Sequence, residues 1–240
     1  MPLKDIEFVF FDAGGTLLHP YPSVGEIYAR EAARFGSKAD AALLEKLFRQ
    51  VWHERDGLGG LESHSDEAKE RAWWYETVQQ VFSRAGGVND FDRFFHELYD
   101  LFARPEVWRL YPGVVEVLRE IRRQKKCVAI VSNWDSRLFK LCDELGLTPE
   151  VDFILASAVF GAAKPSPKIF EEALRRAGAD PKKSVHVGDS LSDDVAGAGR
   201  LGIRSVLIDW GGRHKPGQSA HEPHFVIRDL RELLLTRSRP

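Results

Sequence analysis

A single acid, Asp12, ends the apolar run FVFF and is followed by Ala13, Gly14, Gly15 and Thr16. Three later stretches also end on residues able to do chemistry. VSNWDSR carries Ser132 and Asn133, GAAKPSP carries Lys164, and VGDSLSDD carries Asp189 with the adjacent Asp193 and Asp194. Each has an ordinary reading by itself, since acids, glycines and hydroxyls are common in turns. As a set, they match the needs of a phosphate and a hard cation. Carboxylates gathered in one crevice repel unless a cation joins them, and Mg²⁺ takes oxygen ligands while keeping waters and substrate phosphate in its shell. Asp12 and Asp189 are natural ligands for such an ion, and Lys164 and Ser132 can hold phosphate oxygens. Pro165 biases Lys164 toward an extended backbone, which fixes where its side chain sets out.

Bringing these residues together requires a parallel sheet. IEFVFF (6–11) reads as a strand buried on both faces. From about Val24 to Phe102 the apolar spacing turns helical in four stripes, separated by FGSKAD, DGLGGLESHSDE and AGGVND. Four helices without a strand predict a small bundle. Helices near 112–124, 136–145, 167–177 and 192–201 then alternate with strands at 127–133, 153–157, 184–189 and 204–209. FVI (225–227) adds a last strand before a final helix. This alternation predicts an α/β fold with helices on both sheet faces. In such sheets ligands bind outside the carboxyl ends of the strands, where Asp12, Ser132, Asn133 and Asp189 would all emerge. The expected organisation is a discontinuous core, 1–18 and 107–240, with a helical insertion over 19–106.

Composition narrows the partners. With a net charge of −2 and no long run of one sign, the chain carries no electrostatic footprint for nucleic acid. No apolar stretch approaches the length of a membrane span. Cys127 and Cys142 lack metal-ligand spacing and read as small buried hydrophobes. The first residues, MPLKDIEF, show no secretory pattern. The expectation is a cytoplasmic protein, a monomer or homodimer, acting on a small phosphorylated metabolite without nucleic acid or membrane.

In order and spacing, FFDAGGTL, VSNWDSR, AKPSPKIF and VGDSLSDDVAGAGRLG resemble the four motifs of the haloacid dehalogenase superfamily. PSVGEIYARE after the first motif resembles the branch with a helical cap inserted there, on the phosphatase side of the family. The resemblance implies a Rossmann-like core, Mg²⁺ as cofactor and hydrolysis through an aspartyl-phosphate. Asp12 matches the nucleophile, Thr16 and Ser132 the phosphate binders with Asn133 beside them, and Lys164 the lysine that steadies nucleophile and phosphate. Asp189 matches a metal ligand. The further acid is Asp193 or Asp194, and the spacing of GDSLSDDV favours Asp194.

Gly14 departs from the family pattern. Most phosphatases of the family place there a second Asp, which protonates the leaving oxygen and activates water. That position also ligates the metal, but through its backbone carbonyl, which Gly14 keeps. A general acid or base is worth roughly 10²–10⁴-fold in rate. Three readings follow: a Mg²⁺-dependent phosphatase that lacks the usual acid, a phosphonatase-like hydrolase, and a weakly active or regulatory phosphate-binding protein. The second needs a cap lysine, for which Lys38, Lys46 and Lys69 are the candidates. A substitute donor is open at His19, His53, His64 or Asp135, although Asp135 reads better as an N-cap and the histidines as surface residues. Trp134 is expected to face the cap. His186 reads as a satisfied core histidine.

Overall fold

The computed structural model describes residues 3–58, 66–217 and 221–235. Its centre is β1 (Phe8–Phe11), paired in parallel with β4 (Cys127–Ser132) on one side and β6 (Ser184–Gly188) on the other. With β5 (Phe153–Ala156), β7 (Arg204–Ile208) and β8 (Phe225–Ile227), the sheet runs β5-β4-β1-β6-β7-β8, and every neighbouring pair is parallel. Side chains alternate across a strand. Val9 and Phe11 therefore join the core on one face, with α5 (Val114–Arg123). Phe10 joins Ile169 and Phe170 of α8 (Pro167–Ala177) on the other.

The helical stripes form α1 (Val24–Ala33), α2 (Ala41–Glu54), α3 (Glu67–Arg84) and α4 (Phe91–Leu101). Local chemistry sets three of their starts. The side chains of Ser23, Asp40 and Asp66 accept the N–H groups of Glu26, Leu43 and Lys69, satisfying donors that a helix start leaves open. Gly25 lets α1 cross α2 closely, since a Cβ there would sit 2.2 Å from the Ala41 carbonyl oxygen.

Three features differ from the sequence reading. The chain leaves and re-enters the sheet region through a two-stranded antiparallel ribbon, β2 (Leu18–Pro20) against β3 (Trp108–Leu110), and three-residue strands are too short to show a period. The helix expected at 192–201 is a π-helical turn, Leu191–Ala196, followed by the short α9 (Gly197–Gly199). There the backbone N–H of Val195 reaches the Ser190 carbonyl, five residues back. Such turns occur preferentially at functional sites. The final helix is 3₁₀ (Leu230–Leu234), started by a capping box between Asp229 and Glu232.

Candidate active site

Asp12 lies one residue past β1, and its N–H still donates to Val187 O at 2.9 Å, so the sheet ladder fixes it. Its Oδ1 accepts two bonds, from Ser132 Oγ at 2.8 Å and Lys164 Nζ at 2.6 Å. No donor to Oδ2 occurs among the described residues. Lys164 Nζ also reaches Asp194 Oδ1 at 2.6 Å. Burial acts against its charge, but Asp12 and Asp194 outweigh it and hold the ammonium proton above the ordinary lysine range. Asn133 clasps the Lys164 backbone from both sides. Its Nδ2 donates to Lys164 O at 2.8 Å, and its Oδ1 accepts from Lys164 N at 2.6 Å. Its amide thus positions the lysine.

Asp12, Asp189 and Asp194 each present an oxygen within 4.8 Å of the others. One ammonium faces three carboxylates, so the cluster is short of positive charge. Burial pushes the Asp12 carboxyl up, and Asp194 adds to it. Asp189 opens onto the cavity, yet the protein wall behind it and the charges of Asp12 and Asp194 push its carboxyl well above the carboxylate range. Asp194 goes the other way, because Lys164 and His186 overcome its burial. The donors are hard oxygens without a thiolate, which fits Mg²⁺ or a similar cation. Gly15 is part of this fit. It sits at φ +76°, and a Cβ would fall 2.3 Å from Asp189 Oδ2. Gly188 plays the same role for Asp194, whose Cγ lies 2.1 Å from where its Cβ would be.

Thr16 is wholly buried, outside the cavity wall, and its hydroxyl has no partner among the described residues. Asp194 belongs to the acidic cluster. Asp193 instead lines the cavity, where burial and Asp194 push its carboxyl up to about 7. Sequence reasoning missed His186. It is wholly buried in β6, its Nε2 meets Asp194 Oδ1 at 2.7 Å, and its Nδ1 has no partner among the described residues, so it is only half satisfied there. The signal available was its place three residues before Asp189 on a strand aimed at the site.

Gly14 does not carry the positive φ found at Gly15. A Cβ there would meet Trp134 Cζ3 at 3.3 Å, so an indole occupies the space beside it. The Trp134 ring packs on Trp108 at 5.1 Å. Above this floor lies a cavity of about 450 Å³, walled mainly by apolar and aromatic side chains from α1–α4. The helices are tied down over it. Ser157 Oγ donates to Glu70 Oε1 at 2.5 Å, and Ser136 N–H donates to Glu67 Oε1 at 2.8 Å. Tyr99 Oη donates to Asp135 Oδ2 at 2.7 Å, while Arg137 Nη1 donates to Tyr99 O at 2.7 Å.

The remaining candidates stand elsewhere. Asp135 is wholly buried and paired with Arg137 at 2.7 Å, so it is neither a spare acid nor a simple cap, although its Oδ1 does accept the Arg137 N–H at the start of α6 (Arg137–Glu144). His19 packs against Tyr111 with ring centroids 4.6 Å apart, and His53 is exposed; neither lines the cavity. His64 lies outside the described residues. Lys38, Lys46 and Lys69 are exposed and away from the cavity, where Lys164 is the lysine present among the described residues. Cys142 is buried and Cys127 half-buried. No helix of the described residues is long and apolar enough to cross a membrane.

Residues 6–202 match the family model for haloacid dehalogenase-like hydrolases. The human haloacid dehalogenase-like hydrolase domain-containing protein 3 is 34% identical, covering 93% of this chain and 86% of its own length. A phosphoserine phosphatase of Thermus thermophilus is 31% identical over 96% of this chain and 98% of its own. Among solved structures, the Bacillus subtilis putative hydrolase YfnB, determined with magnesium bound, superposes with a TM-score of 0.77, 18% identity and coverage of 96% and 97%, a likeness of fold.

Proposed function

The chain belongs to the haloacid dehalogenase-like hydrolases, and on that premise we propose that it is a metal-dependent phosphatase working through a phosphorylated Asp12. One observation carries the reading: Asp12 Oδ1 is fixed by Ser132 and Lys164, leaving Oδ2 uncommitted beside a cluster in which one ammonium faces three carboxylates. Oδ2 attacks phosphorus, the bond to the ester oxygen breaks, and the leaving group departs with the electron pair. Water then attacks the same phosphorus, freeing phosphate and regenerating the carboxylate. Splitting the reaction in this way is nucleophilic catalysis. Lys164 offsets the charge on the transferring group, and Asn133 holds Lys164 in place. Ser132 is assigned to phosphate binding, whereas the Thr16 hydroxyl, buried outside the cavity wall, is not.

Asp12, Asp189, Asp194 and the Gly14 carbonyl are the groups we assign to a Mg²⁺ ion, which would supply charge neutralisation for the phosphoryl oxygens. The helical block over 19–106 is assigned as a cap on the core formed by 1–18 and 107–240. A phosphonatase-like route through a cap lysine loses support, because Lys38, Lys46 and Lys69 all stand away from the cavity. The 31% identity to a phosphoserine phosphatase supports the reaction class. The test is hydrolysis of acetyl phosphate and phenyl phosphate with Mg²⁺, for the wild type and for Asp12→Asn. We expect turnover that disappears both in the variant and in excess chelator. Near-wild-type turnover by Asp12→Asn, or full activity in chelator, rejects the site.

A further inference from the structure

We propose that the substrate is an aryl phosphate whose leaving group is an uncharged aromatic ring system, an assignment that rests on the phosphatase reading. The first argument is the wall of the cavity. Beyond the acidic floor it is lined by Tyr28, Phe48, Trp52, Trp74, Phe95 and Phe102. Its volume of about 450 Å³ is in the range of sites for organic ligands. Flat apolar rings offer affinity to another apolar ring through area burial and offset stacking, and little to a polar chain.

The second argument is charge. A substrate with a carboxylate or a second phosphate needs a cation in the wall, since a buried unpaired charge is strongly unfavourable. Among the described residues the cations there beyond Lys164 are Arg49, which is largely exposed to solvent, and Arg137, and each already faces an acid. Arg49 pairs with Glu45 at 2.9 Å. Arg137 pairs with Asp135 at 2.7 Å and lies over the Tyr99 ring, 3.5 Å from its centroid. The other charged groups, Asp193 among them, are acids that repel a second anion. The carboxylate of phosphoserine meets no unpaired cation in this wall among the described residues, although its ammonium could face Asp193.

The third argument is the leaving group. The Trp134 indole fills the space beside Gly14, 3.3 Å from where a Cβ would sit. We place the ester oxygen of a substrate held by Asp12 near this ring, where residue 14 offers no acid side chain. An alkoxide departs poorly under those conditions. A phenolate delocalises its charge, leaves with the electron pair of the broken P–O bond, and takes its proton from water on release.

The experiment uses the full chain with Mg²⁺. KM and kcat/KM are measured for 1-naphthyl phosphate, phenyl phosphate, acetyl phosphate and O-phosphoserine, and binding of 1-naphthol is measured by calorimetry. Naphthyl and phenyl phosphate have leaving groups of similar basicity and differ in apolar area. We expect KM to fall from acetyl to phenyl to naphthyl phosphate, by about 10-fold or more overall as apolar area is buried, with phosphoserine the poorest in kcat/KM. Phe48→Ala is expected to raise the KM for naphthyl phosphate more than that for phenyl phosphate, and Phe48→Leu to recover part of the loss. Asp12-dependent hydrolysis of acetyl phosphate without an aryl preference, or phosphoserine turned over as well as naphthyl phosphate, overturns the substrate assignment and leaves the phosphatase reading standing. Binding of 1-naphthol without turnover of any phosphate overturns the phosphatase reading, and the substrate assignment falls with it.

Discussion

Restoring an acid at position 14 probes what Gly14 and Trp134 do together. The backbone there lies outside the left-handed region, so an Asp brings no φ strain. Its obstacle is the indole, whose Cζ3 is 3.3 Å from the new Cβ, tighter than an ordinary contact. Seating the carboxylate means swinging Trp134 away from Trp108, an aromatic contact with ring centroids 5.1 Å apart. Such contacts are worth about 0.5–1.5 kcal/mol. At the upper end this removes about tenfold from a gain of ~10², the low end of what a general acid supplies. Gly14→Asp alone should therefore raise kcat/KM for benzyl phosphate, an aromatic substrate with an alkoxide leaving group, by about 10-fold. Combined with Trp134→Ala the gain should approach ~10², because the ring no longer has to move. Phenyl phosphate, whose leaving group needs no proton, should gain little in kcat/KM, a quantity that reports steps only up to leaving-group departure. The assay is phosphate release at saturating Mg²⁺, with metal affinity measured in each variant. A double variant that keeps its metal affinity and gains nothing on benzyl phosphate refutes the reasoning.

Gly15→Ala places a Cβ on Asp189 Oδ2 at a φ of +76°, so we expect Mg²⁺ affinity to fall by at least about tenfold, read by calorimetry, from a close clash with a ligand carboxylate. Burial pushes the Cys127 thiol up to about 11 and the Cys142 thiol up to about 12. Both stay protonated at pH 8, so a disulfide reagent should label them slowly in the native protein and fully after denaturation, with the native rate rising as pH approaches 11.

The strand ends were legible because a strand buried on both faces leaves a dense apolar run, and the first polar residue after it marks the sheet's rim. Asp12, Ser132 and Asp189 followed from that rule, and the structure gathers Lys164 and Asp194 beside them. The ribbon of Leu18–Pro20 with Trp108–Leu110 was not legible, since three residues show no period and the pairing spans the whole helical block. The π-helical turn at Leu191–Ala196 was hidden for another reason: its apolar spacing is helical, and Asp194 within it is held by Lys164 and His186 from distant parts of the chain. Asn133 was recognised as part of the site, but its hold on the Lys164 backbone is a contact between distant loops. Nor could Gly14 reveal that an indole from another loop fills the space beside it.

In the mechanism proposed above, Asp12 carries the phosphoryl group while Gly14 offers no base to hasten its release. Rapid-quench hydrolysis of 1-naphthyl phosphate with Mg²⁺ tests both parts. We expect a burst of naphthol close to one per active site, followed by a slower steady rate. Acid-quenched protein should yield a peptide phosphorylated at Asp12, which borohydride converts to homoserine. Linear naphthol release through many turnovers, with Asp12 never labelled, would contradict it.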